Sequence, residues 1–304
     1  MESNTPKRLP LFQWLLQRVY FPFVNLILYG NFWIALAALC LTWQTEFLLL
    51  GSLDIDRPVA WFNFGGTLFL YALHRLVGME KVKAFADRGR YYIIARYANH
   101  IKVYSVLGAL MAAWFFWQVQ ATTRWIMILP GILSLGYVLP ILAGGKRLRD
   151  LHYLKIFLVA GIWSWLTVVV PAWELGLGAN IPVWVLFVER SLFVFAITIP
   201  FDIRDLQVDQ HTQVQTIPAR IGVESAKRLS FLLLGASLLL AGLNGYLQLY
   251  SWPLAIGVLA YTIITFGLVR NAYPTRSDYY YTGWLDGTMI LQGLLLGLCF
   301  WLLS

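Results

Sequence analysis

The chain has 304 residues, 59% of them hydrophobic and only 12% charged, with a formal net charge of +8. A soluble domain of this size carries roughly 25% charged residues, so a soluble fold is excluded. The apolar runs are long and continuous, which suits helices and excludes the short alternating strands of a β-barrel.

In chain order, a basic segment over 1–20 precedes nine apolar stretches near 22–43, 59–78, 97–118, 123–143, 153–172, 182–201, 229–248, 252–271 and 283–303. Each approaches the ~20 residues that cross a bilayer core. The reading is an all-α polytopic bundle forming one transmembrane domain over 1–304. No cleavable signal peptide is expected, because no small-residue cleavage site follows a short apolar core. Gly51 and Pro58 set off the second stretch, Gly144-Gly145 closes the fourth, Pro171 closes the fifth, and Asn180 and Pro182 open the sixth. Cys40 and Cys299 each sit within an apolar run and read as small packing residues.

Charge sets the orientation. Twenty of the twenty-three Lys and Arg residues fall in the N-terminal segment and the second, fourth, sixth and eighth connections with their flanks. Arg57, Arg124 and Arg190 are the exceptions. An excess of Lys and Arg marks cytoplasmic loops, so the N-terminus and these connections are expected inside an inner (cytoplasmic) membrane. The basic surplus then reads as topology and attraction to lipid headgroups, with no nucleic-acid partner.

The sixth connection also carries concentrated acid. The run FDIRDLQVDQHTQVQTIPARIG spans Phe201 to Gly222 and holds Asp202, Asp205 and Asp209. On a continuous helix the three share an arc of about 60°. Two readings fit: structural acids neutralised by Arg204 and Arg220, or ligands of a hard divalent cation, which takes carboxylate oxygens together with substrate phosphates.

This run resembles the second aspartate motif of the UbiA superfamily of intramembrane prenyltransferases, D-x-x-D-x-x-x-D followed by T-[LI]-P-x-R-x-G. Asp202, Asp205, Asp209, Thr216, Pro218, Arg220 and Gly222 match it in type and spacing. Nine spans with the motif after the sixth is also the family's arrangement. The resemblance implies Mg²⁺-dependent transfer of an isoprenyl group from a prenyl diphosphate to a lipid-soluble, often aromatic, acceptor. Asp202, Asp205 and Asp209 would be catalytic and hold the metal. Lys146, Arg147, Arg149, Arg204, Arg75 and His74 would meet the diphosphate. The sequence departs from the family in two places. Tyr137 lies nine residues before Lys146 instead of four, and the first aspartate motif, N-x-x-x-D-x-x-x-D, is missing after the second span. Glu80 and Asp87 stand nearby as substitute metal ligands. The loss of that motif leaves an alternative: a degenerate member that binds an isoprenoid or a membrane partner without transfer. A transporter is disfavoured by the odd number of spans.

Glu189 and Arg190, inside the sixth span, point about 100° apart and are expected to have separate partners. Asp286, opening the ninth, is expected to be solvated at the membrane boundary.

Overall fold

The computed structural model describes residues 11–78, 89–211 and 214–303. The described chain is nearly all helix. Among the described residues, nine long helices form the bundle: α1 (Phe32–Leu50), α2 (Pro58–Gly78), α3 (Ala98–Gln118), α4 (Ala121–Val138), α5 (Leu154–Glu174), α6 (Ile181–Arg204), α7 (Val223–Tyr246), α8 (Trp252–Arg270) and α9 (Tyr280–Leu303). Seven of them are long and apolar enough to cross a membrane. The other two, α2 and α4, fall short of that threshold. The chain is an integral membrane protein. Large apolar residues such as Leu232, Leu239 and Trp114 stand fully exposed on its outer surface, a pattern that suits lipid and not water.

The first span starts later than the apolar run suggests. Residues 11–29 form a separate helical stretch, and Asn31 turns the chain with a left-handed φ of 69° before α1 begins at Phe32. Pro171 does not close α5, which continues to Glu174. The fifth helix instead widens into a π-turn over Trp165–Val169. Such a turn leaves carbonyls without their usual helical donors, and neighbouring helices supply them. Asn63 of α2 donates to Leu166 O at 2.8 Å, while Thr45 Oγ1 of α1 and Arg190 of α6 donate to Thr167 O at 2.7 and 3.0 Å.

Glu189 and Arg190 do have separate partners, as their angular separation predicts. Arg190 also reaches Leu41 O, Thr45 and Gln44, and Glu189 accepts from Tyr250 and Asn244. Two buried charged residues thereby tie α1, α5, α6, α7 and the α7–α8 turn into one network, each with the partners that burial demands.

The second and third helices touch backbone to backbone. A Cβ on Gly65 would lie 2.9 Å from Gly108 O, and one on Gly108 would lie 2.8 Å from Gly65 O. Small residues permit such approaches between helices in lipid.

Candidate active site

Five elements converge at one end of the bundle: the ends of α2 and α6, the α4–α5 loop, the start of α5, and the α8–α9 connection with the start of α9. They line an open chamber of about 300 Å³. The α6 helix opens at Asn180 with Pro182 in its first turn and ends at Arg204. Asp205 caps it outside helical geometry, and a short helix, Leu206–His211, follows. The helix bends at Asp205, yet Asp202 and Asp209 both still turn toward the Lys155 ammonium. Asp205 and Asp209 line the chamber; Asp202 does not. It lies 2% exposed against α5, with its Oδ1 2.6 Å from Lys155 Nζ. Asp209 Oδ2 lies 3.7 Å from the same ammonium. Asp205 is gripped by its neighbour: Arg204 Nε and Nη2 donate to it at 2.9 and 3.1 Å.

The expected cations divide as well. Arg75, His74, Arg147, Arg149 and Arg204 line the chamber, joined by Lys155. Lys146 is exposed and stands outside the lining. The cause is the α4–α5 turn. Gly144 and Gly145 take φ of 74° and 68°, which side-chain-bearing residues rarely adopt, and Leu142 N–H closes the turn on Lys146 O at 2.9 Å. That turn carries the Lys146 side chain outward and brings Arg147 in. Asp150 accepts from the Arg147 guanidinium at 2.9 Å and from its backbone N–H at 3.1 Å. Arg149 reaches across to His74 Nε2 and lies 5.3 Å from the Tyr137 ring centre. Arg75 donates to Leu28 O at 3.3 Å and covers the Tyr29 ring at 5.5 Å. Glu80 and Asp87 lie outside the described residues.

Three site residues escaped the sequence reading. Lys155 is one; in the sequence it is a basic residue among others that mark the cytoplasmic side. Asp278 is another: it accepts from Arg204 Nη1 at 2.9 Å and from Tyr29 Oη at 2.9 Å. Its only signal is the polar-aromatic run DYYY before the ninth span. The third is Asp286. It is set into the chamber wall with Thr282 and Met289 and is not solvated at the boundary, because the π-turn at Tyr280–Leu285 rotates the start of α9 inward.

A second, apolar cavity of about 130 Å³ adjoins the chamber. Tyr71, His74, Tyr137, Val159 and Trp163 line both. The deeper cavity runs past Leu70 and Ile162 to Asn63 and Thr167. A polar compartment rich in cations thus leads directly into an apolar one with aromatic walls.

Among the described residues, no three His, Cys, Asp or Glu side chains form a ready metal cage. The hard oxygen donors Asp205 and Asp209 at the chamber wall fit a metal of a different kind, one whose remaining positions are filled by phosphate and water.

No protein-family model and no curated protein matches the sequence. Solved structures do match the fold. A UbiA homologue from Archaeoglobus fulgidus bound to DMAPP and Mg²⁺ aligns with TM-score 0.61 at 13% identity, over 92% of this chain and all of its own. The apo UbiA homologue from Aeropyrum pernix K1 gives TM-score 0.66 at 13% identity, over 87% and 96%. A digeranylgeranylglyceryl phosphate synthase gives 0.53 at 13% identity, over 95% and 96%. The aspartate run after α6, the nine-helix order and these alignments agree: the chain is built on the UbiA fold.

Proposed function

We propose that the protein transfers an isoprenyl group from a prenyl diphosphate to a lipid-soluble or aromatic acceptor, with Mg²⁺ as cofactor. The observation that carries this reading is the joining of a cation-rich chamber to an apolar cavity through a shared aromatic wall. A prenyl diphosphate has that same polarity profile. Its headgroup would meet Arg149, Arg204, Arg75, Arg147 and Lys155, and its chain would run past Tyr71 and Trp163.

Mg²⁺ held by Asp205 and Asp209 together with the diphosphate would stabilise the charge that develops on the leaving group. The arginines and Lys155 add fixed positive charge in a site poor in water, where such charge acts most strongly. The rings of Tyr71, Trp163 and Tyr137 would shield the allylic cation from water and face its positive charge. The basic connections support a cytoplasmic side of the inner membrane for this chemistry, as Lys and Arg excess does for inside loops.

Membranes containing the protein, incubated with radiolabelled prenyl diphosphates, lipid extract and Mg²⁺, should yield a labelled prenylated product. Asp205→Asn should reduce its formation by about a hundredfold or more, a loss typical of removing one charge-stabilising group at a reacting centre. Absence of product, with wild type and variant alike, argues against catalysis. One observation favours a second reading, binding without transfer. Asp205 is already held by Arg204 and Asp209 lies near Lys155. Metal-independent binding of geranyl diphosphate with no turnover supports that alternative.

A further inference from the structure

We propose that Asp202 acts through Lys155: it holds the lysine ammonium at the chamber wall as a phosphate-binding cation and is not itself a metal ligand. This rests on the diphosphate reading above and deepens it.

Lys155 stands in the first turn of α5 and Asp202 in the last turn of α6, so the two helix ends meet at this pair. The ammonium sits 2.6 Å from Asp202 Oδ1. Lys155 lines the chamber, and Asp202 is buried outside the lining. For Asp202 to reach a metal in the chamber, the lysine would have to leave and stay desolvated without its partner, a costly step for a buried pair. A lysine side chain is a flexible stem with three donors. The ion pair with Asp202 fixes the stem and leaves the charge facing the chamber.

The same device recurs around the site. Arg147 is fixed by Asp150, and Arg204 by Asp278. Each of these cations has a carboxylate that orients it. Asp202 does for Lys155 what Asp150 does for Arg147 and Asp278 for Arg204, but from behind the wall, whereas those two carboxylates line the chamber with Asp205 and Asp209.

The test separates metal affinity from diphosphate affinity in purified full-length protein. Mn²⁺ binding is followed by electron paramagnetic resonance, and binding of labelled geranyl diphosphate by filtration. Asp202→Asn should keep Mn²⁺ affinity within about twofold. It should weaken geranyl diphosphate by about tenfold or more, the scale of one charge-assisted hydrogen bond. Lys155→Met should do the same, and the double variant should be no worse than either single one, because both act on one interaction. Lys155→Arg should recover part of the diphosphate affinity. Should Asp202→Asn fail to fold, the double variant gives the same reading, since it removes both members of the buried pair.

Loss of Mn²⁺ binding in Asp202→Asn, equal to that in Asp209→Asn, overturns the proposal and leaves the functional reading standing. Additive losses in the double variant overturn it too. Wild-type protein that binds no geranyl diphosphate overturns both.

Discussion

Asp209 shows how one residue's surroundings set its chemistry. Burial lifts its carboxyl to about 6, while the Lys155 ammonium pulls the other way. Folding thus favours the neutral form. Its contribution to stability is complete below the unfolded value of 3.8 and is lost as the pH rises through about 6. In metal-free detergent solution the melting temperature should fall between pH 4 and pH 7 by more in wild type than in Asp209→Asn. Parallel curves for the two proteins would show that Asp209 titrates as it does in water. The three aspartates share one motif but not one environment. Asp202 faces an ammonium in the protein interior, Asp205 a guanidinium at the wall, and Asp209 lies between ammonium and chamber. Residue type and spacing identified all three, and spacing alone placed them on one face. Their burial and partners differ, although Asp202 and Asp209 meet the same ammonium.

At the scale of elements, small residues and wide turns decide which helices meet. Gly65 and Gly108 bring α2 against α3, and the approach leaves no room for a Cβ on either. Gly108→Val should cost about 1–3 kcal/mol, as overpacking a tight contact does, read as a lower melting temperature in detergent. Gly235→Ala on α7, where a Cβ meets open space, should leave it unchanged and serves as the control. The π-turn in α5 matters for another reason. It exposes the Thr167 carbonyl to Arg190, which has no carboxylate among its hydrogen-bond partners and is held by carbonyls, a hydroxyl and an amide. Arg190→Met should lower the melting temperature more than Arg57→Met, because Arg57 pairs with Asp54 in a partly exposed turn and such pairs contribute little.

At the scale of the whole molecule, the site gathers at the end of the bundle that carries the basic connections. This fixes a prediction about sidedness. In a background of Cys40→Ala and Cys299→Ala, Ser52→Cys should react with a membrane-impermeant maleimide in intact cells. Lys146→Cys, exposed on the chamber side, should react only after the cells are opened. The reverse pattern would invert the topology and place the chamber outside.

Composition and the length of the apolar runs were enough to establish a helical membrane bundle, since a bilayer demands long apolar segments whatever their packing. The aspartate run marks the end of α6 beside the chamber, because residue type and local spacing survive in any fold that uses them. The same sequence was silent on Lys155 and Asp278, set Asp286 at the solvated boundary, and held no sign that Lys146 faces outward or that Asp202 meets Lys155. Those assignments depend on contacts between residues far apart in the chain: α5 against α6 for Lys155 and Asp202, and the α8–α9 connection against Arg204 for Asp278. Which charge faces the chamber and which stands behind it is settled by how helix ends rotate and break, and only the packed bundle determines that.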